Sequence, residues 1–238
     1  MTRFSTYRNF VAVAAIFSLA FACGLSESMA GPLSVTSRAF NNTFGPDAGQ
    51  WHGSVSVASA AFGNTVVAEV DWAVFGPGDF QLYLDDEGIA EVDPSAPNEL
   101  TYVYQIHSVT QANPGIDSVT VGVDFFDPRG SVSAPAFVPT GAANEKSPTG
   151  GGDNTTSMAW FFDGTELAPG DSSSLLLFTS PNAPEYSFLT VFSGIAAQFP
   201  PPLVPSPGRL VGNEIPEPST LLLALACGLP MLVNRRSR

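Results

Sequence analysis

Five carboxylates crowd one short stretch of this chain: Asp85, Asp86, Glu87, Glu91 and Asp93, set around Gly88 in LDDEGIAEVD. Hard oxygen ligands on a flexible loop suit Ca2+, so these five are the candidate metal ligands and Ca2+ the one candidate cofactor. The stretch departs from the EF-hand pattern, which wants acids or amides at alternate positions, then a glycine, then a glutamate at the twelfth place. A solvated acidic hairpin loop accounts for the same residues. His52 and His107 have no partner at ligand spacing and read as surface strand residues.

Nucleophilic catalysis needs a nucleophile, a base and an orienting group. GDSS at Gly170 resembles the serine motif of one hydrolase group. That group keeps its histidine downstream, whereas His52 and His107 both lie upstream, and the chain has no GxSxG elbow. A turn entering a strand at Leu175 explains the stretch. Glycoside hydrolysis needs two carboxylates facing each other across a cleft, and no local motif singles out a pair. No catalytic residue is assigned, and the chain is expected to be non-enzymatic. Binding is the alternative. Trp51, Trp72, Trp160, Tyr102 and Tyr104 could form a platform for extracellular polysaccharide. Alternation places Trp72 with the valines of a core, so Trp51, in a loop-like setting, is the tryptophan nominated. The rival classes are therefore a polysaccharide-binding module, a Ca2+-dependent adhesive module and, third, an extracellular glycan-active enzyme.

The elements that would hold these residues are strands. In TVVAEVDWAVF, Val66, Ala68, Val70, Trp72 and Val74 share one side, the period-two pattern of a half-buried strand. LTYVYQIH puts Leu100, Tyr102, Tyr104 and Ile106 inward, and DSVTVGVDFF does the same with Val119, Val121, Val123 and Phe125. Further strands are expected at GSVSVASA, DFQLYL, SMAWFF, SSLLLFTS and YSFLTVFS, with turn signals at GPGD, ANPG, DPRG and APGD. No window of helical length between Gly31 and Asn213 shows a 3.6-residue period. The expected fold is all-β: an antiparallel two-sheet sandwich, immunoglobulin-like or jelly-roll-like, over residues 31–198. SAPAFVPTGAANEKSPTGGGDNTTS reads as a mobile loop, and residues 199–213 as a proline-rich extended linker.

Charge narrows the partners. Between Gly31 and Asn213 nineteen acids face four basic residues, a formal charge of −15. A field of that sign repels phosphate backbones and excludes nucleic acid as a partner. The two cysteines, Cys23 and Cys227, lie in the apolar terminal segments, so no disulfide framework supports the domain.

Both ends read as addresses. Arg3 and Arg8 precede an apolar core from Phe10 to Leu25, and Ser28 and Ala30 stand at −3 and −1 before Gly31. These are the three parts of a secretory signal peptide, residues 1–30, which implies the export translocon. At the other end Pro216-Glu217-Pro218 is followed by an apolar run from Leu221 to Val233, then by Arg235, Arg236 and Arg238. Proline fixes φ and lacks an N–H, so the triplet is an extended, protease-accessible strip. A helix carrying Leu221, Leu222, Leu223, Leu225, Leu229 and Val233 would follow it. Thirteen residues at ~1.5 Å each give ~20 Å against a hydrocarbon core of ~30 Å. That suits a temporary stop, with the arginines held on the cytoplasmic side.

Residues 214–238 resemble the PEP-CTERM sorting signal of Gram-negative bacteria: a Pro-Glu-Pro motif, a short hydrophobic helix and an arginine-rich tip. The resemblance implies an exosortase as processing partner, transient inner-membrane association, and delivery to the cell surface, outer envelope or extracellular matrix, often in exopolysaccharide-producing bacteria. Pro230 inside the apolar run and Asn234 before the arginines depart from the pattern. The order of the β-rich stretches is also similar to domains that precede such signals.

Overall fold

The computed structural model describes residues 33–42, 49–123, 132–153 and 156–208. The signal peptide, its cleavage site Ser28, Ala30 and Gly31, and the whole sorting tail lie outside the described residues, as do Phe125 and the DPRG turn.

Alternation does in three dimensions what it promised in sequence. Val66, Ala68, Val70, Trp72 and Val74 of one strand enter a single core with Tyr102, Tyr104 and Ile106 of the next. The described strands, in chain order, are β1 (Asn41–Asn42), β2 (Gly49–Gln50), β3 (His52–Ala61), β4 (Asn64–Phe75), β5 (Leu100–Asn113), β6 (Ser118–Gly122) and β7 (Ala136–Val138). They continue as β8 (Glu145–Lys146), β9 (Gly150–Asp153), β10 (Ser157–Phe161), β11 (Ser172–Ser173), β12 (Leu175–Ser180), β13 (Pro184–Phe192) and β14 (Leu203–Pro207). One sheet has the order β3-β4-β5-β12-β7 and the other β14-β13-β6-β10-β9, each antiparallel throughout. Between them lie Trp160, Tyr104 and Phe178, with ring centroids 5.9–6.2 Å apart. The β3–β4 hairpin turns on Phe62 and Gly63, both left-handed (φ 52° and 85°), the backbone that a two-residue turn between twisted strands needs.

Three expectations are corrected. DFQLYL is not a strand: Asp79–Asp86 forms an α-helix, α1. Gly78, left-handed at φ 80°, turns the chain out of β4, and Asp79 places a carboxylate in the first turn. Phe80, Tyr83 and Leu84 then share a helical face and are buried, whereas Leu82, in phase with Phe80 as a strand, is 46% exposed. Eight residues are too few for helical periodicity to stand out from alternation.

SAPAFVPTGAANEKSPTGGGDNTTS supplies β7, β8 and β9 in its described part. The Glu145 carboxylate organises this stretch, accepting hydrogen bonds from the N–H groups of Thr140, Gly141 and Ala142 and from the Thr140 hydroxyl (2.7–3.2 Å). β9 is a run of glycines, which has no apolar alternation to show. A Cβ at Gly151 would press on Pro135 at 2.9 Å.

The third correction concerns residues 199–213. Leu203–Pro207 is a strand paired with β13, so the folded body reaches Gly208 and only the remainder could act as a linker. Pro205 and Pro207 are tolerated because β14 is an edge strand.

The outer face of the β3–β7 sheet carries a second core. Phe75, Val103 and Leu177 lie beneath Phe80, Tyr83 and Leu84 of α1, joined by Leu33 from a 3-10 turn at Leu33–Val35.

Candidate functional site

The five acids nominated as Ca2+ ligands are dispersed by α1. Asp85 and Asp86 lie in the helix, Glu87 caps its C-terminus, and Glu91 and Asp93 occupy the next loop. Arg38 pairs with Asp86 at 2.5 Å, Asp85 accepts from Gln81 at 2.9 Å, and Asp93 accepts from the Ser95 N–H at 2.8 Å. Among the described residues no group of three or more His, Cys, Asp or Glu is placed to hold a metal ion. In GDSS, the Ser173 hydroxyl accepts from the Ile106 N–H at 2.9 Å and donates to the Ser174 carbonyl, a sheet-building role.

His107 is the residue that composition hid. β4 and β5 pair Glu69 with His107, and the next pairing is Val67 with Gln111, so Ser108, Val109 and Thr110 bulge opposite Ala68. Ser108 is left-handed at φ 48°. On the outer face beside the bulge, His107 Nε2 lies 2.9 Å from Asp71 Oδ1 and 3.9 Å from Glu69 Oε2. Ser34 donates to Asp71 Oδ2 at 3.3 Å, and His52 Nδ1 lies 2.5 Å from the Ser34 carbonyl oxygen. The N-terminal 3-10 turn is thereby fastened to the sheet.

Burial works to raise the pKa of Asp71, but the close contact and charge of His107, with the hydroxyls of Ser54 and Ser34, outweigh it and hold the carboxyl below its ordinary value. The Asp71 contact in turn raises His107, against partial burial and with help from the charges of Asp71 and Glu69. His107 Nδ1 is 3.0 Å from Ser108 Oγ, so serine, histidine and aspartate occur in series. Ser108 is the next residue in the chain, however, and a contact of this kind is the ordinary local one between neighbouring polar side chains. What the cluster does physically is neutralise a carboxylate that the fold buries.

The second polar feature is a groove of about 470 Å³ at one end of the β14–β9 sheet. β13 changes partners along its length: Leu189–Phe192 pair with β6, whereas among the described residues Pro184–Phe188 pair with β14 alone. The groove opens where β13 leaves β6, lined by Glu185, Tyr186, Ser187 and Phe188 on one side and Val123 and Thr156 on the other, with Ser206 and Pro207 of β14. Gly122 makes room for it, since a Cβ there would collide with the Phe188 ring and with Ser187 Oγ.

The aromatic residues nominated from sequence sit behind this groove rather than in it. Trp51 is 2% exposed because its backbone joins the sheet, receiving a bond from the Val74 N–H and donating to the Phe40 carbonyl. Trp72, Trp160, Tyr102 and Tyr104 are also core. Tyr102 donates to the Asn182 carbonyl at 2.7 Å, Tyr104 to the Pro205 carbonyl, and the Trp160 indole to the Ala136 carbonyl at 2.8 Å. Of the two described rings that line the groove Tyr186 is the more exposed, and it lies 4.9 Å from Trp51 and edge-on to Trp72 at 6.3 Å. Its signal in sequence is a strand apolar on both parities, Phe188 and Phe192 on one side, Leu189 and Val191 on the other.

No protein-family model, curated protein or solved structure matches this chain.

Proposed function

We propose that the chain is an exported, non-enzymatic component of the cell envelope or extracellular matrix, an immunoglobulin-like or jelly-roll-like sandwich delivered through a PEP-CTERM-type tail. The order of parts at the C-terminus carries the proposal: Pro216-Glu217-Pro218, the run Leu221–Val233, then Arg235, Arg236 and Arg238. A signal peptide at residues 1–30 supports it, because a chain already crossing the translocon would be halted by an apolar run with arginines behind it. The described body spans residues 33–208, so both address segments fall outside it. No helix among the described residues is long and apolar enough to cross a membrane. Membrane residence on this account belongs to the tail and is transient, ending when an exosortase acts near the triplet.

The test is replacement of Pro216, Glu217 and Pro218 by alanine in the full-length gene, followed by cell fractionation. The variant is expected to accumulate in the inner membrane at full length. An unchanged distribution between envelope and medium would remove the sorting proposal.

A further inference from the structure

The groove beside β13 has the chemistry of a ligand site, and its features converge on one class of ligand. The first is the platform. Tyr186 is 49% exposed, yet it rests on Trp51 and meets the edge of Trp72, both buried. A ring backed by two core indoles keeps its place without a ligand, which removes much of the ordering cost of binding. Phe188, 38% exposed, extends the apolar floor along the same strand.

The second feature is an unpaired polar group. Ser206 lines the groove, is 1% exposed, and its Oγ has no hydrogen-bond partner among the described residues. Buried hydroxyls are ordinarily satisfied, and a turn of the Ser206 side chain toward the groove would let a ligand there supply the missing partner. Its cross-strand partner on β13 is Glu185, which also lines the groove.

The third is charge. Among the described residues that line the groove none is basic, Glu185 is acidic, and the domain carries −15. An anionic ligand would be repelled. A ligand with flat C–H faces for the rings, hydroxyls for Glu185 and Ser206, and no negative charge is a neutral sugar. A groove of about 470 Å³ is within the ~300–1,000 Å³ of small-ligand sites.

We propose that this groove binds a neutral glycan, with one sugar ring stacked on Tyr186, its hydroxyls donating to the Glu185 carboxylate and one neighbouring group paired with Ser206 Oγ. The proposal rests on the groove and not on the sorting tail. Misplacement of the protein would not touch it, and absence of binding would leave the sorting proposal standing.

The test is affinity electrophoresis of the full-length protein in native gels containing hydroxyethyl cellulose, dextran or galactomannan, with alginate as the anionic counterpart. At least one neutral polymer should retard the protein, and alginate should not. Tyr186→Ala should weaken the retardation about ten-fold or more, as loss of a central aromatic anchor does. Tyr186→Phe keeps the ring and should retain most of it, which separates loss of the platform from loss of the fold. Glu185→Gln should weaken binding less, since an amide oxygen still accepts. The proposal is overturned if no neutral polymer retards the protein, if alginate alone does, or if Tyr186→Ala migrates as the unaltered protein.

Discussion

The two sheets treat their outer faces differently. That of the β3–β7 sheet is closed by α1 and the 3-10 turn, so Phe75, Val103 and Leu177 are buried on it. That of the β14–β9 sheet keeps Phe161, Phe188 and Leu203 38–58% exposed among the described residues. Both faces descend from strands that are apolar on both parities. The difference lies in the segment to which each strand connects. β4 leads through Gly78 into a helix that folds back, whereas β13 leads through Ala196 and a proline-rich turn into an edge strand. One face has become core and the other has been left for contact. Trp51 lies in the core between the sheets and is buried, while Tyr186 against it is not.

Emptying the closed face should cost most. Phe80→Ala removes the ring that packs on Phe75 at 5.2 Å and should destabilise by about 3–5 kcal/mol, read from urea unfolding. A loss below about 1 kcal/mol would mean that α1 is not seated there.

The polar margin of the closed face comes next. His107→Gln should cost about 1–2 kcal/mol, less than the ~3–5 of a fully buried pair because the His107 side chain is 31% exposed. The effect carries a pH signature. The raised pKa of His107 gives stability that is complete below its ordinary value of 6.5 and lost as pH rises through the folded value. The lowered pKa of Asp71 gives stability present above its ordinary 3.8 and lost as pH falls through the folded value. The gap in Tm between the native protein and His107→Gln should therefore be widest between the ordinary values of 3.8 and 6.5 and narrow as pH rises through the raised value of His107. A gap independent of pH would show that packing, not the ion pair, is lost.

On the open face the effects shrink. Gly122→Ala should displace Phe188 and Ser187, at a cost of about 1 kcal/mol, and alter the groove more than the fold. Leu203→Thr, at an exposed edge position, should shift stability by less than about 0.5 kcal/mol. A large loss there would mean that the open face is covered.

Much of this is legible from sequence, for identifiable reasons. β3, β4, β5, β10, β12 and β13 announce themselves because each has at least one apolar parity over several residues. α1 does not, because Phe80, Leu82 and Leu84 alternate as well as any strand, and only packing reveals that Tyr83 replaces Leu82 inside. β9 and β14 are hidden by glycine and proline, residues that speak against strands unless the strand lies at an edge. The site is harder still. His107 gains its partner from a residue thirty-six positions away, through a bulge that alternation cannot show. The flanking loop makes Trp51 look available, whereas exposure falls to Tyr186, which a partner change of β13 brings over it.

Hydroxyl-radical footprinting resolved by residue tests the contrast between the faces most directly. Phe161, Tyr186 and Phe188 should oxidise readily, Phe75, Phe80 and Tyr83 slowly, and a neutral polymer that retards the protein should protect Tyr186 and Phe188 while leaving Phe161 reactive. Oxidation of Phe80 and Tyr83 as fast as Phe188, or no protection at Tyr186 in the presence of that polymer, would contradict the division of the molecule into a closed face and a binding one.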